Sequence, residues 1–343
     1  MNTVQRSGIT AGGNWVVDRV KTVDILPSRG MLANIMTESV STGGAPANVL
    51  EDLSRMGAVF PLAGTGVTGD DREGMFIRTK FEKLGVDITH LHTDGSVQTS
   101  YTDVMSEQGT GNRTFFHHRG ANSLFGVEHV PVHSMECRIF HLGYILLLDS
   151  LDAPDRDYGT RGARLLHDLQ KEGIKTSVDL VSEDSERFSR IVPPALTYAD
   201  YLIMNEVEAG KVTGVQVRNE QEALDPDGLV HAGEALMEMG NMDFAAIHMP
   251  EGAYVHTSDG TLLSTGSLEL PEGYIAGATG AGDAFCAGML YGIHEGLSYD
   301  EMLKLATCAA GACLAGNDAG SGLVPVKDVL ELGETYGFRD PVL

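Results

Sequence analysis

The run Gly277-Ala278-Thr279-Gly280-Ala281-Gly282-Asp283-Ala284-Phe285 combines small side chains, a carboxylate and the opening of a helical pattern. Small residues let the backbone turn sharply and present successive N–H groups. The first N–H groups of a helix have no partner inside it, so such a turn is an anion site. A carboxylate beside it can take a proton from a hydroxyl while the amides hold a transferring phosphoryl group. The plainer use of Asp283 is as a helix cap. The helix that follows carries Ala284, Ala287, Gly288 and Gly292 for close packing, with Phe285, Met289 and Ile293 on a buried stripe.

Two other glycine-bearing runs invite chemistry and fail a charge or spacing test. Gly64-Thr65-Gly66-Val67-Thr68-Gly69 matches the dinucleotide fingerprint G-x-G-x-x-G. Asp70 and Asp71 follow it directly, where they would repel a pyrophosphate, and Asp87 precedes its strand instead of ending it. A tight turn capped by Asp is the reading that remains. Asn205-Glu206-Val207-Glu208-Ala209-Gly210-Lys211-Val212 is P-loop-like only in outline: its first position is Asn, and Val212 offers no hydroxyl after Lys211. His90-x-His92 and His129-x₃-His133 lack a second ligand pair, and Pro131 breaks the helical spacing of the latter.

These groups need a scaffold. Short apolar runs at Ile9–Val20, Val59–Ala63, Arg138–Leu142, Thr176–Asp179, Tyr201–Met204 and Phe244–His248 read as strands. Windows at Pro46–Met56, Asp71–Leu84, Tyr158–Lys171, Gly228–Met239, Ala281–His294 and Asp300–Leu314 read as helices, the last opened by a Ser298/Glu301 capping box. The alternation predicts an α/β protein with a mainly parallel sheet. Val23–Ser41 and Gln98–Arg119 break the rhythm as extended segments, with Thr99–Met105 and Arg113–His118 as a hairpin. A small β excursion of this kind can cover a ligand.

Composition narrows the partners. The chain has 343 residues, with 24 Lys+Arg against 48 Asp+Glu, a formal charge of −24. That balance excludes a reader of nucleic-acid backbones and disfavours an anionic membrane surface. The four cysteines Cys137, Cys286, Cys308 and Cys313 form no C-x-x-C pair, and the N-terminal residues lack a signal-peptide pattern, so the expected location is the cytoplasm.

From about Gly8 to Pro325 the sequence resembles the ribokinase-like, or PfkB, carbohydrate kinases. Gly280-Ala281-Gly282-Asp283 matches the core of that family's D-T-x-G-A-G-D signature, and Gly43-Gly44-Ala45-Pro46-Ala47-Asn48 its N-terminal signature. Gly69–Gly74 with Gly85-Val86-Asp87 is also family-like. The resemblance implies a single kinase domain over residues 1–343, with a three-layer α/β/α core and a small β lid from segments of about 18–42 and 98–120. It implies an ATP- and Mg²⁺-dependent transfer of the γ-phosphoryl group to a hydroxyl of a small carbohydrate. Asp283 would be the general base, and the amides of Gly280, Ala281, Gly282 and Asp283 the anion hole. Asp18, Gly43, Gly44 and Asn48 would hold the acceptor, and Arg113 or Arg119 would reach in from the lid. Asn205 and Glu208 match the family's N-x-x-E motif, with Glu208 organising Mg²⁺ through water. Gly252 and Asn317 fall where the nucleotide would lie. A homodimer through lid strands is a further family feature. The family's leading Asp and Thr are Gly277 and Ala278 here, which removes the support for monovalent-cation activation. The alternatives are a nucleoside kinase of the same fold and a non-catalytic nucleotide- or sugar-binding relative.

Overall fold

Strand-forming runs separated by amphipathic helices build one large sheet with helices on both faces, as the alternation predicts. The computed structural model describes residues 6–108, 113–183, 185–316 and 319–343. Nine strands lie in the order Leu262–Gly266, Gly252–Thr257, Phe244–Met249, Tyr201–Asn205, Lys175–Leu180, Ile139–Ile145, Ile9–Gly13, Leu62–Gly69 and Asp87–Asp94. Pairing is parallel from Phe244–Met249 onward, and the first two strands are antiparallel additions at one edge.

Two apolar layers cover the sheet. On one face the helices Ala45–Arg55, Arg72–Lys83, Ala281–Glu295 and Tyr299–Cys313 bury Leu50, Phe81, Phe285, Met289 and Leu305. On the other, Arg161–Lys171, Phe188–Leu196, Glu206–Thr213 and Pro226–Met237 bury Leu166, Val192, Ala209 and Leu236. Each fully buried Leu or Phe side chain contributes about 1.5–3 kcal/mol relative to an exposed one, so the sandwich fixes the sheet rigidly. Side-chain caps start several helices where the sequence places them: Asp71, Thr160, Asn205 and Ser298 each accept from an N–H three residues on.

A separate four-stranded sheet has the order Ile35–Gly43, Val16–Val23, Ser100–Glu107, Arg113–His118. Its central pair is parallel and its outer pairs are antiparallel. The two extended segments therefore do form a β excursion, and the expected hairpin is present.

Three expectations need correction. The run Ile9–Val20 is two strands in two sheets. The chain leaves the large sheet at Asn14, whose N–H donates to Gly143 O at 3.0 Å, and Trp15 is buried at the junction. Asp18 is therefore the third residue of Val16–Val23 in the small sheet, not the end of the first strand. Val59–Ala63 shifts to Leu62–Gly69, which places the G-x-G-x-x-G run inside a strand, not in a turn. The glycines make room for Trp15: a Cβ on Gly64 or Gly66 would lie 2.6 or 2.2 Å from its indole. Asp71 does cap the next helix, accepting from Gly74 N at 2.8 Å and Thr99 Oγ1 at 2.6 Å. Among the described residues, no helix is long and apolar enough to cross a membrane.

Candidate active site

The carboxyl ends of parallel strands are where open α/β sheets bind ligands. Here the ends of Ile9–Gly13, Ile139–Ile145, Lys175–Leu180, Tyr201–Asn205 and Phe244–Met249 open into a cavity of about 640 Å³, closed on one side by the small sheet. Asp283 stands in its wall, in the first turn of Ala281–Glu295. Gly280 caps that helix with φ 82°, and a Cβ there would lie 2.5 Å from Ala319, so only glycine fits. The first donor inside the helix is Ala284 N, to Gly280 O at 2.8 Å. The amides of Ala281, Gly282 and Asp283 precede it and form the positive end of the helix dipole.

Both Asp283 oxygens already accept hydrogen bonds. Asn48 Nδ2 donates to Oδ2 at 2.8 Å, and the Tyr144 hydroxyl donates to Oδ1 at 2.7 Å. Burial pushes the carboxyl up to about 6, against these two bonds, which hold it down. A carboxyl poised there is ionised at neutral pH yet basic enough to take a proton. Asn48 Oδ1 is buried without a partner, an acceptor facing the same site. Asn48 sits one turn into Ala45–Arg55, behind the cap Gly44, which also lines the cavity.

Asp18 enters from the small sheet. Burial pushes it up to about 6, a hydrogen bond from Thr102 opposes that, and the charge of Asp283 adds to it. Gly43 makes its position possible: a Cβ there would lie 2.1 Å from Asp18 Oδ2. Thr102 Oγ1 is also 3.0 Å from His117 Nδ1, and burial pushes His117 down to about 4, so the ring is neutral. Arg119 lines the cavity but is engaged. It donates to Asp149 at 2.7 Å and to Leu146 O at 3.1 Å, with Glu183 at 3.8 Å.

Asn205 and Glu208 form a reciprocal helix cap. Asn205 Oδ1 accepts from Glu208 N at 2.8 Å, and Glu208 Oε2 accepts from Asn205 N at 3.1 Å. Ser182 Oγ donates to Glu208 Oε1 at 2.7 Å and accepts from Asn205 Nδ2 at 3.0 Å. Glu208 is buried, which pushes it up to about 7, with Asp283 adding to the rise. Asp179, on the neighbouring strand, is driven well above the carboxylate range by burial and by Glu208 and Asp283. The buried Glu208 carboxyl, with the oxygens of Ser182 and Asn205 beside it, suits a hydrated Mg²⁺.

Not every expected residue converges. Arg113 lies at the far end of the Arg113–His118 strand, paired with Ser106, and does not line the cavity. Gly252 opens the Gly252–Thr257 strand, where a Cβ would lie 2.2 Å from Thr265 O, so it serves hairpin packing away from the cavity. Asn317 lies outside the described residues. Conversely, Asn14, Tyr144 and His248 line the cavity without a motif to announce them. A Cβ on Gly282 would come within 3.1 Å of the His248 ring, and burial pushes that imidazole down to about 4, so a neutral ring borders the anion site.

The profile of the pfkB family carbohydrate kinases matches residues 9–325. The chain belongs to that family. It is thus a phosphotransferase whose acceptor is a hydroxyl group. The ribokinase of Haemophilus influenzae is 24% identical over 333 residues, covering 96% of this chain and 99% of that one. Among solved structures, Arabidopsis thaliana ribokinase complexed with ribose and ATP superposes with a TM-score of 0.76 at 20% identity, covering 96% and 99% of the two chains. The nucleoside kinase of Methanocaldococcus jannaschii superposes with a TM-score of 0.72 at 16% identity, covering 96% and 99%. These superpositions bear out the ribokinase-like fold.

Proposed function

We propose that this pfkB-family member is an ATP-dependent kinase that phosphorylates a hydroxyl of a small uncharged carbohydrate. The observation that carries the reading is Asp283, held by Asn48 and Tyr144 at 2.8 and 2.7 Å in the first turn of a glycine-capped helix. Asp283 takes the acceptor proton, and the amides of Gly280 to Asp283 receive the γ-phosphoryl oxygens. Asp18, with Gly43 beside it, orients the acceptor together with Gly44 and Asn48. Asn205 and Glu208, supported by Ser182, hold hydrated Mg²⁺ beside the phosphates. When bound, Mg²⁺ neutralises phosphate charge during transfer.

The uncharged acceptor follows from the wall. Asp18, Glu183, Glu208 and Asp283 line the cavity against one guanidinium, Arg119, which is already paired. A carboxylate or phosphate on the acceptor would meet repulsion and find neutral His117 in place of a cation. A second reading, a nucleoside acceptor, is favoured by the apolar residues Val16, Phe115, Leu147 and Val181 in the same wall. The small sheet acts as a lid on one kinase domain. Its exposed Ile35, Met36 and Val40, with Met31 and Leu32 of the adjoining loop, suit pairing with a second copy. A coupled ADP-release screen over neutral pentoses, hexoses, nucleosides and anionic keto-deoxy acids tests the assignment. Turnover of a neutral polyol is expected; turnover confined to anionic acceptors would overturn it.

A further inference from the structure

Beneath the reacting carboxylate, the large sheet and the helix Ala281–Glu295 bring together three buried side chains, His141, Asp179 and Cys286. His141 and Ser177 are register partners on neighbouring parallel strands, and Asp179 follows Ser177 on the same face. Gly143, two residues after His141, has no side chain: a Cβ there would sit 3.3 Å from Asp179 and 3.5 Å from His141 Nε2. Its absence lets Asp179 and His141 approach. Cys286 comes down from the helix three residues after Asp283. One donor atom each from His141, Asp179 and Cys286 lies within 4.8 Å of the other two, and all three residues are buried. Cys286 Sγ is 3.9 Å from both ring nitrogens of His141.

We propose that His141, Asp179 and Cys286 form a buried binding site for a zinc-class divalent ion, distinct from the Mg²⁺ position at Glu208. A thiolate, an imidazole nitrogen and a carboxylate are the donor set of zinc and its neighbours, whereas Mg²⁺ takes oxygen ligands. Two further observations favour it. Ser177 Oγ lies 3.1 Å from His141 Nδ1 and orients the ring with Nε2 as the ligand, the outer-shell arrangement common to metal-bound histidines. Asp52, from Ala45–Arg55, is a further buried carboxyl near Cys286, with both of its oxygens unpartnered.

Zinc bonds of about 2.0–2.3 Å set tetrahedral ligand atoms about 3.3–3.8 Å apart, so the donor atoms, within 4.8 Å of one another, need to close by up to about 1.5 Å. Asp179 lines the cavity, which gives the ion an entrance and room for a water as fourth ligand. On binding, the Cys286 thiol and the Asp179 carboxyl each release a proton to water as the S–M and O–M bonds form, so uptake of one ion releases up to two protons.

The test is metal uptake, which does not depend on the acceptor or on turnover. The full-length protein, stripped with chelator, is titrated with Co²⁺ in excess Mg²⁺ without nucleotide. One equivalent of Co²⁺ with a near-ultraviolet thiolate-to-metal band and tetrahedral visible bands is expected. Cys286→Ser should lose the thiolate band, and Ser177→Ala should weaken uptake roughly 10-fold. Cys286→Ala, checked by circular dichroism, replaces the serine variant if that one does not fold. Uptake without a thiolate band, a band that persists in the Cys286 variants, or Co²⁺ displaced by millimolar Mg²⁺ would each overturn the site.

Discussion

Replacing Tyr144 with Phe removes one hydroxyl and leaves the ring in place. That hydroxyl donates to Asp283 Oδ1 at 2.7 Å and is one of two bonds that favour the ionised carboxyl. A hydrogen bond to a charged group contributes about 1.5–3 kcal/mol, and one pKa unit is about 1.4 kcal/mol, so the carboxyl should rise by about 1–2 units. From about 6 it moves towards 7 or 8. A base must be ionised to act, so the rate increases with pH through this value and the acid limb shifts to higher pH in the variant. The assay is kcat/KM against pH by coupled ADP release. Near pH 6.5 the variant should run about tenfold slower than wild type, and above pH 9 the two should converge. A limb that stays in place, or an equal loss at every pH, would refute the idea that Tyr144 tunes Asp283.

Two further perturbations read the acceptor side. Gly43→Ala would place a Cβ 2.1 Å from Asp18 Oδ2, so the carboxylate must swing away. The KM for the acceptor should rise on the order of tenfold, the loss of one hydrogen bond, with the KM for ATP unchanged in steady-state kinetics. Asp18 has a folded value of about 6 against an ordinary 3.8, raised chiefly by burial. The folded state therefore keeps a proton that the unfolded chain releases, and stability falls as pH rises from about 4 through 6. Asp18→Asn removes that cost. Its stability advantage over wild type in urea should be about 1.4 kcal/mol larger at pH 7.5 than at pH 5; a pH-independent difference would contradict the buried, ionising carboxyl.

The parts of the site visible in the sequence are those made by local backbone. Gly280-Ala281-Gly282-Asp283 specifies a glycine cap and a carboxylate in one turn, and the structure forms that turn. Asn205 and Glu208 are a capping pair as well as an acidic motif, and both uses coexist in the same side chains. Tyr144 was silent because its function comes from a strand end meeting another element's carboxylate, 139 residues away along the chain. His248 entered the sequence reading only as the last residue of the Phe244–His248 run, although it flanks the anion site. Arg113 misled for a geometric reason. It shares a strand face with Phe115 and His117, but at about 3.3 Å per residue it lies some 13 Å beyond His117, past the cavity rim. The split of Ile9–Val20 was equally hidden, since both halves are apolar and the break depends on Asn14 meeting Gly143.

The central claim is that Asp283 removes the acceptor proton. Its most direct test is Asp283→Asn, read in parallel by Mg-ATP titration calorimetry and by single-turnover kinetics on the acceptor that the screen identifies. The account predicts Mg-ATP affinity within a few-fold of wild type and a rate of phosphoryl transfer lower by about 10²–10⁴-fold. Transfer at close to the wild-type rate would contradict it.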